Sequence, residues 1–573
     1  MIVLGISALD NDAAASILVD GRFVAAAQEE RFSRRKMHAG FPHRAIESVL
    51  KIAGVEAKDV EHVAYPFFPW TRESFYMTRA LLKNAPANFF ERGSFRDKLI
   101  HAAEFTMWLG KSISMHRRFH QELDSGLREY GWRDRLSRYE HHHAHAASAF
   151  YSAGYERALV FTLDWYGSAL AGSVSHAGPS GIERLHGFKY PHSLGLFYSQ
   201  VTSALGFRAS RHEGKIVGLA AFGDPSVLGD VVRSKFRETD GDYRYVSGMD
   251  RFFARRLAKE HPREHVAAAY QSVLEKVVAR FVEFYVKKYQ ADSICLAGGV
   301  TANVKLNQRI LEVPGVRRVF VHPAMSDAGT GTGAAMAYLE SRGEAIEPFQ
   351  TALLGPDYSS DEIRKALEAH GLQYTEEPEV ELATAKLLAE GNIVARFYGR
   401  MEYGPRALGN RSVLYHTADP KVNDWLNKKL DRTEFMPFAP ATLSSAMDRC
   451  YKNLEGGAST ARFMTITCDC TDWMKQHSPA AVHIDGTARP QLVDPETQPS
   501  FHKVLTEFER LTGVPSVINT SFNMHEEPIV CSPDDAIRAF LQAELDFLAI
   551  GNFIVPNPAK VESTREARSA ARG

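Results

Sequence analysis

Four short apolar segments in the first part of the chain share one ending, an acidic or glycine-rich turn followed by a helical pattern. They are IVLGI before Asp10 and Asp12, ALVFTL before Asp164, SICLA before Gly298, and VFVHP before Asp327. Apolar strands that alternate with helices are typical of α/β folds, in which the strand ends line a common ligand-binding cleft. The pattern predicts an α/β domain with carboxylates and exposed backbone amides at that cleft.

Glycines are concentrated at two of these turns, at Gly298 and Gly299 and in the run GTGTG after Asp327. Glycine lets the backbone approach a phosphate closely, and the N-terminus of a following helix favours negative charge. A single turn of this kind is more often ordinary turn chemistry. Together, the glycine turns indicate a ligand that carries phosphate.

A histidine cluster, EHHHAH from Glu140 to His145, precedes the second of these strands. On a helix, His141 and His145 project from one face at the spacing of a chelating pair. Neutral imidazoles with a carboxylate such as Asp164 suit iron or zinc in an open, reactive site. The alternative is a solvated, partly charged helix face, and the cluster alone does not decide between the two interpretations.

The pattern changes at two places along the chain. The aromatic-rich stretch from about 65 to 136 has no strand pattern, and its alternatives are a helical insertion that lines an acceptor pocket or subunit contact, or buried aromatic packing. Near residue 350 the segment SRGEAIEPFQTALLGPDYSS is rich in turn formers. We therefore expect two domains, 1–350 and 351–573, and a long core helix at Ala267–Tyr289.

The second domain has arginines embedded in glycine-rich turns. Arg400, Arg406 and Arg411 alternate with glycines in GRMEYGPRALGNRS, and Lys429 and Arg489 follow in similar surroundings. Planar guanidinium groups hold phosphate oxygens well, whereas an isolated surface ion pair contributes little. The polar segment NTSFN after an apolar strand adds hydroxyls and amides that would bind a polar ligand. These motifs favour an anion site.

Composition limits the partners. The chain has 68 basic and 69 acidic residues, which gives no general attraction to nucleic acid or to a membrane surface. No stretch is apolar over the length of a membrane span, the N-terminus predicts a strand rather than a signal peptide, and the five cysteines are scattered. We expect a cytoplasmic protein with a small-molecule partner.

Taken in order, these motifs resemble the O-carbamoyltransferase family, which modifies antibiotics and other natural products. The similar segments run along nearly the whole chain, and they are QEERFSRRK, EHHHAHAASAFY, HEGKIVGLAAFG, LAGGVTANVKLN, HPAMSDAGTGTGAA, GRMEYGPRALGNRS, EFMPFAPA, HIDGTARPQ and NTSFN. The resemblance implies an actin-like first domain with duplicated α/β halves, similar to the threonylcarbamoyl transferase of tRNA, and a YrdC-like second domain. It also implies a homodimer.

The resemblance further implies a division of labour. The second domain would make carbamoyl-adenylate from carbamoyl phosphate and ATP with Mg²⁺, and the first would transfer the carbamoyl group to a hydroxyl of the acceptor. The implied metal ligands, for Fe²⁺, are His141, His145, Asp164 and Asp327. The implied nucleotide contacts of the first domain are Lys215, Gly298, Gly299 and Asn303, and Lys36 would stabilise the carbamoyl oxygen or phosphate. The implied carbamoyl phosphate and ATP contacts of the second domain are Arg406, Lys429, Arg432, Met464, Arg489, Ser521 and Asn523.

One departure from the family pattern concerns the base. The family has a histidine after its first strand where this chain has Asn11, and asparagine accepts no proton at neutral pH. Asp12, Asp10 or a water molecule would then take that role. Three other functions compete: a threonylcarbamoyl-type tRNA modifier, which the neutral charge disfavours, an actin-like sugar kinase, and a non-catalytic metal or nucleotide sensor.

Overall fold

The computed structural model describes residues 1–8, 12–90, 95–245, 251–430 and 435–560, without side-chain detail at 81, 83–90, 95–105, 108, 111, 112 and 251. The chain forms two compact units. Unit 1 contains Met1–Glu29 and Met37–Phe349, and unit 2 contains Glu30–Lys36 and Gln350–Gly573. The short segment Glu30–Lys36 therefore groups with the second unit although its sequence neighbours belong to the first.

Unit 1 begins with a five-stranded sheet in the order β3-β2-β1-β4-β5. Its strands are β1 (Ile2–Ser7), β2 (Ala14–Val19), β3 (Arg22–Gln28), β4 (His62–Tyr65) and β5 (Leu136–Arg138). The first three pair antiparallel, and β4 and β5 run parallel to β1. The helices of this part are α2 (His43–Ala53), α3 (Trp70–Phe90) and α4 (Phe95–Glu129). The short helix α1 (Glu29–Ser33) lies almost entirely in the segment that groups with unit 2.

The rest of unit 1 repeats this arrangement. Its main strands are β6 (Ala158–Gly167), β7 (Leu170–Gly178), β8 (Gly181–Lys189), β11 (Ser293–Ala297) and β12 (Arg318–Val321), with a small hairpin of β9 (Phe236–Thr239) and β10 (Asp242–Tyr245). The order β8-β7-β6-β11-β12 and the strand directions match those of the first sheet. The helices are α5 (His141–Ala153), α6 (Leu194–Ala204), α7 (Glu213–Ala220), α8 (Gly229–Arg233), α9 (Arg251–Glu260), α10 (Arg263–Tyr289), α11 (Val304–Leu311) and α12 (Thr330–Ser341). The prediction of an α/β fold with duplicated halves is confirmed.

The duplication shows where the aromatic-rich stretch belongs. In the second sheet the connection from β11 to β12 contains the short helix α11, whereas in the first sheet the connection from β4 to β5 contains α3 and α4. The stretch is thus a helical insertion at one equivalent position. Helix α10 buries the stripe predicted for a core helix, including Leu274, Val278 and Phe281.

Unit 2 is built on an eight-stranded mixed sheet in the order β13-β23-β22-β14-β15-β21-β16-β20. The strands are β13 (Thr375–Glu376), β14 (Val394–Phe397), β15 (Arg411–His416), β16 (Ala439–Leu443), β17 (Tyr451–Lys452), β18 (Cys468–Cys470), β19 (Thr487–Ala488), β20 (Gln491–Val493), β21 (Ser516–Ser521), β22 (Phe547–Ile550) and β23 (Phe553–Pro556). The helices are α13 (Ser360–Ala369), α14 (Val380–Ala389), α15 (Val422–Lys429), α16 (Met447–Cys450), α17 (Ala458–Ala461), α18 (Asp472–His477), α19 (Pro499–Thr512) and α20 (Pro533–Gln542). One apolar core that includes Phe397, Ile518 and Phe540 fixes the sheet against its helices. The YrdC-like character of this unit stays a prediction.

Across the described residues, no helix combines the length and the apolar character that crossing a membrane requires.

Candidate functional site

Unit 1 brings two histidines and two aspartates to one point. The Nε2 atoms of His141 and His145 lie 3.1 and 3.2 Å from Oδ2 of Asp164. The same two nitrogens lie 3.6 and 3.5 Å from Oδ1 of Asp327. We call these four residues the His–Asp cluster.

Local structure explains why these side chains converge. Glu140 caps α5 by accepting a hydrogen bond from the His143 backbone N–H, so α5 starts at His141 and carries His145 one turn later on the same face. Asp164 lies within β6, and Asp327 starts the 3₁₀ turn that leads into α12. Both histidines are fully buried, because alanines on either side let α5 pack closely.

The cluster has a strong preference for positive charge. Burial alone would lower the pKa of His145, but its hydrogen bonds with Asp164 and Asp327 raise that pKa to about 9. Burial alone would likewise raise the pKa of Asp164, but hydrogen bonds from His141 and His145 hold it well below its usual range. A bound cation would replace the proton that His145 otherwise carries.

The donor set fits a divalent metal ion. Two ligands that are each about 2.1 Å from a metal lie about 3.0 Å apart in octahedral and about 3.4 Å apart in tetrahedral geometry. The nitrogen–oxygen separations, 3.1 to 3.6 Å, extend from this range to slightly beyond it, and one ligand atom from each of the four residues lies within 4.8 Å of the others. Two imidazoles and two carboxylates suit iron or zinc, and the identity of the metal as Fe²⁺ stays a prediction.

The other two histidines of the motif, His142 and His143, lie outside the cluster. His142 is buried with Nδ1 3.0 Å from the hydroxyl of Thr162. His143 is half-buried with Nε2 3.7 Å from Glu340.

A further carboxylate, that of Asp12, is hydrogen-bonded to the residue that precedes Asp327. The hydroxyl of Ser326 donates a 2.7 Å hydrogen bond to Oδ2 of Asp12, and Ser326 directly precedes Asp327. Asp12 has a left-handed backbone conformation with φ of 62°. Asp10 and Asn11, the other residues considered for this role, lie outside the described residues.

The predicted nucleotide contacts of unit 1 lie in three segments. Gly298 requires its left-handed φ of 96°, and the backbone N–H of Gly299 points toward Oδ1 of Asp164 at 3.4 Å. Asn303 caps α11 and exchanges hydrogen bonds with Gln271 on α10. Lys215 is buried in α7.

Gln271 was missed by the sequence analysis, which treated all of α10 as core. Its amide nitrogen donates to both Asn303 and Glu275, and its oxygen accepts from Tyr198. The signal was present in the sequence, since a glutamine interrupts an otherwise apolar helix face.

The glycine run after Asp327 does not face a ligand, which corrects the expectation of a phosphate-binding turn. Gly331 and Gly333 are buried within α12. A Cβ on Gly331 would lie 2.6 Å from the carbonyl carbon of Ile6 in β1, and one on Gly333 would overlap the backbone of Ala144 in α5. These glycines let α12 pack directly on β1 and α5, and so help to position Asp327.

The helical insertion also supports the His–Asp cluster, which the sequence did not predict. The ring of Phe67 packs 4.5 Å from the ring of His141. The hydroxyl of Ser168 accepts from the His141 backbone N–H and donates to Glu73, a buried residue of α3. Burial raises the pKa of Glu73 to about 7.

Unit 2 places the loops of four predicted anion-binding residues at one end of its large sheet. Strand pairing places Ser412 opposite Ser521, Asn519 opposite Ala439, and Ala441 opposite Gln491. The starts of β15, β16 and β20 and the end of β21 therefore lie side by side. The loops at this end carry Arg406 before β15, Arg489 before β20, and Ser521 and Asn523 at and after the end of β21.

A buried carboxylate shapes the loop that carries Arg406. Oε1 of Glu402 accepts hydrogen bonds from the backbone N–H groups of Leu408, Asn410 and Arg411, at 2.8, 2.8 and 3.0 Å. On the other side of the loop, the Gln491 side chain donates to the carbonyl of Leu408. Neither Glu402 nor Gln491 was predicted from the sequence.

The arginines of this motif differ in role. Arg411 is fully buried and donates to the carbonyls of Tyr398 and Gly399, and Arg400 donates to those of Leu354 and Gly355. The expectation that both hold phosphate is therefore wrong, because their guanidinium groups bind backbone carbonyls. Arg406 stays a candidate.

The remaining candidates are placed as follows. Lys429 ends α15, and its ammonium group donates to the carbonyl of Glu544. Met464 is buried with a left-handed φ of 56°, a conformation that is costly for a residue with a side chain. Arg432 lies outside the described residues. Lys36 belongs to the segment that groups with unit 2 rather than with the His–Asp cluster.

Comparison with known proteins gives a consistent family. A model described as the carbamoyltransferase N-terminus matches residues 2–336, and one described as the carbamoyltransferase C-terminus matches residues 385–557. An uncharacterized protein of Synechocystis is 32% identical over 99% of this chain and 98% of its own length. The nodulation protein NolNO of Sinorhizobium fredii is 30% identical over 95% of this chain and 79% of its own. NolO of Bradyrhizobium diazoefficiens is 33% identical over 74% of this chain and 80% of its own.

Solved structures are more distant. HypF of T. kodakarensis is 13% identical with a TM-score of 0.33, and covers 59% of this chain and 48% of its own. The (R)-2-hydroxyglutaryl-CoA dehydratase component A of Acidaminococcus fermentans is 13% identical with a TM-score of 0.34, and covers 60% of this chain and all of its own. The α/β fold of the chain rests on its own sheets.

Proposed function

Because this chain belongs to the carbamoyltransferase family, we propose that it makes carbamoyl-adenylate from carbamoyl phosphate and ATP and transfers the carbamoyl group to a hydroxyl of a small-molecule acceptor. The neutral overall charge supports a small acceptor over a nucleic acid. The observation that carries the proposal is the His–Asp cluster, with Asp12 beside it, in a chain that matches both parts of the family.

The reaction balances with defined products. Carbamoyl phosphate, ATP and water give carbamoyl-adenylate, pyrophosphate and phosphate. The acceptor hydroxyl then attacks the carbonyl carbon, a C–O bond forms, and the bond to the adenylate oxygen breaks with its electrons leaving on AMP. One pyrophosphate, one phosphate and one AMP should therefore appear for each carbamoyl group transferred.

In unit 1, Asp12 would accept the hydroxyl proton, a role that Asn11 has no group to fill. The hydrogen bond from Ser326 holds the Asp12 carboxylate at the residue that directly precedes Asp327. A metal held by the His–Asp cluster would supply positive charge against the adenylate phosphate as AMP leaves. Gly299, Asn303 and Lys215 would contact the nucleotide.

In unit 2, the loops at the shared sheet end would hold carbamoyl phosphate and the ATP phosphates. Arg406 and Arg489 provide guanidinium forks, and Ser521 and Asn523 provide a hydroxyl and an amide. Lys429, Arg432 and Met464 are further proposed contacts in the same segments. The hydrogen bonds that the loop donates to Glu402 and accepts from Gln491 would keep Arg406 in place without ligand.

The direct test supplies ATP, carbamoyl phosphate, Mg²⁺ and ferrous iron under reducing conditions, without tRNA. We expect pyrophosphate release that depends on carbamoyl phosphate. Mass spectrometry of a panel of alcohols would then detect the added carbamoyl mass. Absence of pyrophosphate release from the metal-loaded protein would contradict the proposal.

A further inference from the structure

The segment Glu30–Lys36 reaches one loop of the proposed anion site through Arg31. Arg31 is only 2% exposed, and its Nη2 donates a 2.7 Å hydrogen bond to the carbonyl of Gly404. Its Nη1 lies 3.3 Å from the carboxylate of Glu30. Gly404 lies two residues before Arg406, so this bond fixes the start of the loop. Glu402 fixes a later part of the same loop by accepting from the backbone N–H of Leu408.

Arg34 reaches a second loop. Its Nη1 donates to the carbonyl of Ile529 at 2.7 Å, and its Nη2 donates to that of Pro528 at 2.8 Å. Its Nε lies 3.3 Å from Asp535. The same loop is held from inside by Asn523, whose side-chain amide donates to the carbonyls of Met524 and Glu527.

One short segment therefore braces both loops, the one that carries Arg406 and the one that starts at Asn523. Carbonyl groups that accept from a buried or half-buried guanidinium have few alternative positions, because leaving them unpaired is costly. Binding groups that are fixed before the ligand arrives lose less entropy when it binds.

We propose that Arg31 and Arg34 are positioning residues for the anion site of unit 2, and that they act by bracing these two loops rather than by touching the ligand. The inference rests on the proposed function, which assigns carbamoyl phosphate and ATP to that site. It gives two of the three arginines of the ERFSRR motif a role that the resemblance to the family does not assign.

The test compares three variants by kinetics and by hydrogen exchange. Arg34→Gln removes the brace, and Arg35→Gln, at the adjacent exposed residue, makes the same change of charge as a control. Arg34→Lys keeps the charge but lacks the planar fork that serves two carbonyls at once, so it should fall between wild type and Arg34→Gln and remain testable if Arg34→Gln fails to fold.

For Arg34→Gln we expect the KM for carbamoyl phosphate to rise about tenfold or more with a smaller change in kcat, because a misplaced loop weakens ligand binding. Backbone exchange should rise in peptides that cover 523–530, the loop that Arg34 braces, and less in peptides that cover 404–411, the loop that Arg31 braces. Arg35→Gln should match wild type in both measurements.

Two results would overturn the proposal. In the first, exchange rises in Arg34→Gln but the KM for carbamoyl phosphate is unchanged, so the brace only stabilises the fold. In the second, Arg34→Gln and Arg35→Gln behave alike. A wild-type protein that releases no pyrophosphate would contradict the proposed function instead, and the affinity for inorganic pyrophosphate, compared between wild type and Arg34→Gln by calorimetry, would then decide the positioning role.

Discussion

At the scale of single residues, two histidines on the first turn of α5 have opposite surroundings. His141 is fully buried next to Asp164, whereas His143 is half-buried and 3.7 Å from Glu340. We predict that His141→Ala lowers the affinity for a divalent metal by about 100-fold or more, since loss of a ligand should exceed the loss of an outer hydrogen-bond partner. Metal content after anaerobic dialysis against ferrous iron, and separately against zinc, measures this.

His143→Ala is the matched control, because it removes the same side chain from the same helix turn outside the His–Asp cluster. It should retain the metal. Full metal content in His141→Ala would remove that residue from the proposed ligand set.

The sequence identified the members of the His–Asp cluster through spacing and resemblance, but not the residues that support them. His141 and His145 are visible as a pair because a helix repeats every turn. Ser168 and Glu73 cannot be found in this way. Their hydrogen bonds, to the His141 backbone and to each other, depend on how the helical insertion that contains Glu73 packs in the fold. Long-range hydrogen bonds of this kind have no sequence pattern.

At the scale of elements, the contact of α12 with α5 depends on glycine. A Cβ on Gly333 would overlap the backbone of Ala144, one residue before His145. We predict that Gly333→Ala destabilises unit 1 by about 1–3 kcal/mol or more, because neither backbone can move without disturbing the core. The midpoint of thermal unfolding should fall.

The control for this prediction is Gly110→Ala, at an exposed position of α4 where an added Cβ meets nothing within 4 Å. There the substitution of glycine by alanine should be neutral or stabilising by about 0.5–1 kcal/mol, because alanine favours the helix more than glycine does. Equal effects of the two substitutions would show that the α12–α5 contact is looser than its geometry indicates.

Helix α4 also contains a titratable group that should make the fold sensitive to acid. Burial lowers the pKa of His116 to about 4, from an ordinary value near 6.5. Between these values the unfolded chain binds more protons than the folded one, so stability falls as the pH drops from about 6.5 toward 4. The expected loss at pH 5 is about 2 kcal/mol.

His116→Gln removes this titration and keeps a polar group near the hydroxyl of Tyr166, which lies 3.3 Å from His116. Denaturant unfolding of the two proteins at pH 7.5 and pH 5 provides the comparison. The variant should lose less stability than wild type on acidification, and parallel losses would contradict the assignment.

Individual elements were predictable to very different degrees. The strands that contain Leu4, Phe161 and Ile518 follow from continuous apolar runs, since both faces of each sheet are covered. The glycine run of α12 was misinterpreted, because a glycine that lets two helices touch and a glycine that lets a phosphate approach have the same sequence. The duplication of the sheet was implied by the resemblance only. It consists in the order and direction of the strands, which no local sequence pattern shows.

At the scale of the whole molecule, the chain has two candidate sites of different proposed chemistry, and each is assembled from distant parts of the sequence. The anion site of unit 2 draws on residues near 31, 404, 489 and 523. Sequence reasoning found most of its polar groups from composition. The grouping of Glu30–Lys36 with unit 2 was not predicted, because a segment this short alters neither the hydrophobic periodicity nor the composition of the sequence around it.

Two sites in two units should be separable by substitution. His145→Ala alters the His–Asp cluster and leaves unit 2 unchanged, so we predict that carbamoyl-adenylate and pyrophosphate still form in about a single turnover while no carbamoylated acceptor appears. Arg489→Gln should instead lower kcat/KM for pyrophosphate release by about 100-fold, because it removes a charged phosphate contact. ATP labelled at the α-phosphate distinguishes the adenylate from free AMP by chromatography. If His145→Ala lost pyrophosphate release as fully as Arg489→Gln, the two steps would not be divided between the two units.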